Sequence, residues 1–165
     1  MTESKQNWNG KEETMQNDKI IRITPESYAK CNNIWNMDKQ PQTQKWLAEI
    51  KAGIRIPYTY VVNDEFLGEG ALVIENSDPH YTIPNRRVYL SRLIVKKEHR
   101  NRGIGKILVD YLCDKAKRMG FSEISIGVDK DNVIALHLYQ SKGFNDILFE
   151  GEDEYGSYVK LLKIL

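Results

Sequence analysis

Little in this sequence points to a charged polymer, a membrane or an oxidising compartment. Lysine and arginine number 24 against 23 aspartates and glutamates, a formal net charge of +1, so the chain lacks the global field that nucleic-acid and anionic-membrane binders carry. Any attraction for phosphate must therefore be local. Only two cysteines are present, Cys31 and Cys113; they lie far apart and without ligand spacing, which argues against a disulfide framework or a thiolate metal site. No apolar run suggests an export signal or a membrane span. These absences predict a cytoplasmic protein with buried or idle thiols, no metal, no membrane partner and no nucleic-acid partner. With 165 residues, the chain suits one domain that buries roughly 70% of its unfolded surface.

The first eighteen residues, MTESKQNWNGKEETMQND, are too polar to build a core and read as a mobile tail over 1–18, with the domain spanning 19–165. KIIRIT reads as a strand, and Pro25 opens a helix over ESYAKCNNIWN. A second helix runs through PQTQKWLAEIKAG, from Pro41 to Gly53. Three antiparallel strands follow as YTYVVN, LGEGALVIE and RVYLSRLIV. From Gly103 the period changes: Ile104, Ile107, Leu108, Tyr111, Leu112, Ala116 and Met119 recur at steps of three and four, an apolar helical face stopped by Gly120. FSEISIGV is a strand, NVIALHLYQSK a helix closed by Gly143, and FNDILFE with SYVKLLKIL a final strand pair across the acidic turn GEDEYG.

The segment HRNRGIGK, His99 to Lys106, falls where a strand feeds a helix N-terminus, with unpaired N–H groups and the positive end of the helix dipole. Gly103 and Gly105 let backbone approach a phosphate closely, and Arg100, Arg102 and Lys106 surround it with charge. The spacing matches neither a P-loop, since Ile107 replaces Ser or Thr, nor a dinucleotide loop, since Leu108 stands at the third glycine. A solvated basic turn is the plain alternative.

Arg100-x-x-Gly103-x-Gly105 after LIV, followed one strand later by DNVIALHLYQSKGF, resembles the GNAT superfamily of acyl-CoA-dependent N-acetyltransferases. The resemblance covers about residues 19–165. It implies an α/β (α+β) fold, a mixed, mostly antiparallel central sheet flanked by helices, and an enzyme that uses acetyl-CoA without a metal. It further implies that the backbone of Leu93, Ile94 and Val95 pairs with the pantetheine arm like an added strand. Asn101, Arg102, Gly103, Ile104, Gly105 and Lys106 would wrap the pyrophosphate with Arg100. Asn132 matches an asparagine that hydrogen-bonds the cofactor arm, or else it caps its helix. Tyr139 matches the tyrosine that protonates the departing coenzyme A thiolate, or else it is a core aromatic. His137 reads as a surface histidine. A backbone N–H near Ile94 would meet the developing oxyanion.

The chain departs from the family pattern at the base that must deprotonate the amine, whose free pKa is about 10.4. RRVYLSRLIV has no carboxylate, and Gly127 stands where ribosomal-protein acetyltransferases place one. Glu69, His80, Tyr81 or a water chain held by Ser91 are the alternatives. The expected acceptor is a primary amine of a small molecule or peptide. An acidic hairpin, EGEDEYG, with Asp78 would favour a cationic one, unless these charges are simply solvated. Trp35 and Trp46 are core residues or a wall of the acceptor cleft. A non-catalytic acyl-CoA sensor is the rival reading, and a homodimer stays open.

Overall fold

The structure, a computed structural model, describes residues 18–165. The tail expected over 1–18 therefore lies outside the described residues except for Asp18, which starts the first strand. Seven strands form one sheet in the order β1-β2-β3-β4-β5-β7-β6. They are β1 (Asp18–Arg22), β2 (Arg55–Val62), β3 (Glu65–Val73), β4 (Arg87–Val95), β5 (Glu123–Asp129), β6 (Asp146–Asp153) and β7 (Gly156–Ile164). Three α-helices cross it: α1 (Thr43–Lys51), α2 (Ile104–Arg118) and α3 (Val133–Ser141). Every neighbouring strand pair is antiparallel except β4 with β5. The mixed, mostly antiparallel sheet with flanking helices is the expected fold class. No helix among the described residues is long and apolar enough to cross a membrane.

The helix expected over residues 26–36 is only a short 3-10 helix, Tyr28–Asn33. Local side chains compete for its backbone. Thr24 and Ser27 hydrogen-bond each other's backbone N–H groups, Asn32 Oδ1 accepts from Met37, and Asn36 Oδ1 accepts from Asp38 and Lys39. A three-residue period then puts Tyr28, Cys31 and Ile34 on one edge, where they join Trp35, Ile50 and Phe66 in a core on one face of the sheet.

Helix α2 packs on the opposite face. Gly68 and Gly70 of β3, two residues apart and so on one face, make room for it: a Cβ on Gly70 would come within 2.7 Å of Leu112 Cδ1, and one on Gly68 within 3.1 Å of Leu108 Cδ1. The buried stripe is Ile104, Leu108, Val109, Leu112, Cys113 and Ala116. It is rotated from the expected one: Ile107 and Met119 are exposed, and Val109 and Cys113 are buried instead. Seating Leu108 and Leu112 over the two glycines turns Ile107 away, which periodicity alone could not reveal.

The expected acidic turn is shorter than predicted. β6 and β7 pair as far as Asp153 with Gly156, which leaves only Glu154 and Tyr155 between the strands.

Candidate active site

The parallel pairing of β4 with β5 is limited to Arg87–Glu123, Val88–Ile124 and Tyr89–Ser125. Beyond Tyr89 the strands part, while β5 stays paired with β7 through Asp129. The result is a fork whose left arm, the end of β4, has no strand neighbour on its β5 side among the described residues.

A bulge sharpens the fork. Between the pairs Glu69–Ile94 and Ala71–Ser91, β4 spends one residue more than β3, and Arg92 takes a left-handed φ of 62°. Such an insertion bends the strand and re-aims its side chains. Lys96 N–H donates to the Leu67 carbonyl at 2.8 Å. By antiparallel alternation, Ile94 also pairs inward with Glu69, and the backbones of Leu93 and Val95 face the fork. Of the three residues expected to present backbone there, Ile94 is the one whose polar groups turn toward β3.

A cleft of about 920 Å³ opens at the fork, lined by Arg92–Val95, by the turn from His99 to Lys106 and by α3 from Asn132 to Ser141. It brings together Leu93, Ile94, Val95, Arg100, Asn101, Gly103, Ile104, Gly105, Lys106, Asn132 and Tyr139; Arg102 sits on the same turn, outside the lining. Gly103 is the N-cap of α2 with φ 85°, and no acidic residue occupies the first helical turn. A Cβ on Gly103 would meet nothing within 4 Å, so the backbone there is open to a ligand. The donors suit a pyrophosphate: unpaired N–H groups of a fifteen-residue helix, glycine backbone and flanking cations. Arg100 also fastens the turn to the strand, its Nε donating to the Val95 carbonyl at 3.0 Å, and Arg102 Nη1 lies 3.3 Å from His99 Nδ1.

Asn132 caps α3: its Oδ1 accepts from the Ala135 N–H at 3.2 Å, which leaves its amide N–H groups available to the cleft. Tyr139 is 6% exposed and packs edge-on against Phe144 at 5.9 Å, so it is a core aromatic and a cleft residue together. Burial, then neighbouring Tyr89, raises its pKa well above the usual phenol range, which keeps its proton in place. His137 is exposed at the cleft rim.

The four alternatives for a base have other partners. Glu69 is 4% exposed and accepts a hydrogen bond from Cys31 Sγ at 3.0 Å; burial raises its pKa against the opposing effect of that bond, Arg92 and Arg55. His80 stacks on Phe149, its Nδ1 3.4 Å from Asp78. Tyr81 stacks on Tyr89 at 4.1 Å, and its hydroxyl occupies the space a Gly127 side chain would need. Ser91 Oγ accepts from Arg55. Two charges of the acidic mouth are compensated: Asp78 pairs with Lys160 at 2.5 Å and Glu150 with Lys130 at 3.3 Å.

Sequence reasoning missed Arg92, although an arginine amid the apolar residues of YLSRLIV was a visible signal. It lines the cleft with its guanidinium over Trp35 and Trp46, at 4.4 and 4.9 Å from the ring centres.

Solved structures share this architecture. The ribosomal-protein-S18-alanine N-acetyltransferase from Escherichia coli superposes with a TM-score of 0.73 at 15% identity, covering 89% of this chain and 93% of that one. A GNAT family acetyltransferase from Elizabethkingia anophelis with acetyl-CoA bound gives 0.67 at 19% identity, covering 90% and 99%. By sequence, human N-acetyltransferase 8 is 39% identical over 75 residues, 46% of this chain and 31% of that protein. The match thus spans about a third of that relative. A model of the Acetyltransferase (GNAT) family matches residues 18–144, most of the chain, and the chain belongs to that family.

Proposed function

We propose that the protein transfers an acetyl group from acetyl-CoA to a primary amine by direct attack in a ternary complex. The observation that carries this reading is the fork: a strand edge left unpaired after Tyr89, continuous with a glycine-capped helix N-terminus. The edge offers the N–H and C=O of Leu93 and the N–H of Val95, whose carbonyl already accepts from Arg100, to a diamide arm. The turn from Asn101 to Lys106, with Arg100, holds the pyrophosphate. Acetyl-CoA, when bound, supplies a thioester whose C–S bond breaks toward sulfur as the amine nitrogen forms the new N–C bond.

Backbone N–H groups of β4 at the fork face the carbonyl oxygen as negative charge develops on it. Tyr139, held protonated by burial, gives its proton to the sulfur and regains one through solvent from the nitrogen that is acylated. Two buried, unbridged thiols, Cys31 and Cys113, support a cytoplasmic setting.

Isothermal titration with acetyl-CoA, coenzyme A and ATP tests the reading. Saturable binding of the first two well above ATP is expected, followed by amine-dependent release of free thiol. Equal binding of all three reduces the turn to a basic patch and ends the proposal.

A further inference from the structure

The wall of the cleft beside the unpaired edge carries a cation that forms a long ion pair and no hydrogen bond among the described residues. Arg92 makes no hydrogen bond to a described residue, and its buried Nε has no acceptor. The nearest anion, Glu69 Oε1, stands 3.9 Å from that Nε, beyond hydrogen-bonding distance, and the other oxygen of Glu69 already accepts from Cys31. By contrast Arg55, the neighbouring guanidinium, is used up by Glu49 at 2.8 Å and by Ser91.

Arg92 is also held in place. Its left-handed backbone at the bulge sets its direction, and cation–π contacts with Trp35 and Trp46, at 4.4 and 4.9 Å from the ring centres, hold the guanidinium. A guanidinium packed on aromatic rings is weakly hydrated and keeps its N–H edge for a planar, bidentate partner. Its side chain is 21% exposed, and it lines the cleft. The adjacent Glu69 carboxyl group makes the place poor for a doubly charged phosphate and suited to a single carboxylate.

Resting on the acetyl-transfer reading, we propose that Arg92 binds the carboxylate of the acceptor, so that the acceptor is an α-amino acid or a close analogue. Strand residues advance roughly 3.3 Å each, and Arg92 directly precedes the Leu93–Val95 edge. A carboxylate gripped there carries an amine on the next carbon toward the fork. The carboxylate is unchanged in the reaction: the nitrogen gains the acetyl group, the C–S bond breaks, and N-acetyl amino acid and coenzyme A leave. The acceptor so defined carries a carboxylate, unlike the cationic acceptor that the acidic hairpin would favour.

The test compares leucine and phenylalanine with their decarboxylated counterparts, isopentylamine and phenethylamine, by thiol release. In parallel, the coenzyme A-loaded protein is titrated with N-acetylphenylalanine and N-acetylphenethylamine. The carboxylate-bearing probe should bind more tightly by on the order of tenfold to a hundredfold. Arg92→Asn, which tolerates the left-handed backbone, should bring the ratio near one, and Arg92→Lys should retain part of it. Thermal melts establish that the variants fold. Absence of carboxylate preference in the wild type, or a preference that survives Arg92→Asn, overturns the inference. If acetyl-CoA itself does not bind, the transfer reading falls too; if it binds and the probes are equal, only the carboxylate site falls.

Discussion

The Tyr81 hydroxyl stands where a side chain on Gly127 would begin. Position 127 lies on β5 at the right arm of the fork, and the loop that carries Tyr81 is fastened there: Ser125 Oγ donates to the Tyr81 carbonyl at 2.6 Å, and Arg87 Nη1 to the His80 carbonyl at 2.9 Å. Gly127→Ala should therefore destabilise the protein by ~1–3 kcal/mol through overpacking. Tyr81→Phe, which removes the colliding oxygen, should recover part of that loss. Urea unfolding of both single variants and the double variant measures the coupling; strict additivity would show that the two positions do not meet.

Gly103 combines a left-handed backbone with open space where a Cβ would go. Gly103→Ala should cost ~1–2 kcal/mol of stability without a steric clash. Gly103→Glu adds a negative, bulky group at the helix N-terminus facing the cleft and should abolish acetyl-CoA binding in a titration. Retention of wild-type affinity in the Glu variant would move the pyrophosphate elsewhere.

Tyr139→Phe keeps the ring against Phe144 and removes only the hydroxyl. Under the proposed role, kcat should fall by roughly a hundredfold or more, while acetyl-CoA affinity changes little. Because burial raises the Tyr139 pKa, its deprotonation should not limit the rate between pH 7 and about 10, the ordinary phenol value. An unchanged kcat in the Phe variant returns Tyr139 to a packing role alone.

Glu123 joins Arg86 and Arg87 at the closed end of the fork, at 2.9 and 2.8 Å. Burial by itself would raise its pKa, but the hydrogen bonds and charges of Arg87 and Arg86 outweigh burial and lower it below 4.5. A lowered carboxylate pKa means that the folded state binds fewer protons than the unfolded one. The resulting stability is fully present above the ordinary value and is lost as pH falls through the depressed folded value. Glu123→Gln should lower stability by ~1–3 kcal/mol near pH 7, since Arg87, 9% exposed, loses its counter-charge. The difference from wild type should shrink below about pH 4, as read from denaturation midpoints across pH.

Cys31 and Cys113 are both buried. Burial, then the charge and hydrogen bond of Glu69, raises the Cys31 pKa, and burial first among several causes pushes that of Cys113 up to about 11. Reactivity follows the thiolate, so neither thiol should react with an aromatic disulfide reagent at pH 8 in the native protein. Both should react in urea. Rapid native labelling would mean that one of the two cores opens readily.

What the sequence alone determined is what depends on neighbours along the chain. Strand β4 was read at Arg87–Val95 because turn residues bracket an apolar run. The glycine turn before α2 followed from two glycines at a helix start, and α3 from its cap and its closing glycine. Even locally the reading failed where side chains rival the backbone, as at Asn32 and Asn36, which reduce an expected helix to a short 3-10 helix. The rotated face of α2 needed Gly68 and Gly70, distant in sequence, to show which residues could approach the sheet.

Only the tertiary structure decided the features that arise between strands. The fork exists because β4 and β5 pair over three residues and then separate, a property of two strands and their register. Arg92 gains meaning when the bulge aims it onto Trp35 and Trp46, and Tyr81 when its loop folds over Gly127. Lys160 could not have been predicted to neutralise Asp78 from a position 82 residues away. Periodicity and turn chemistry are local and legible in order; charge compensation and close approach depend on which distant residues the folded sheet brings together.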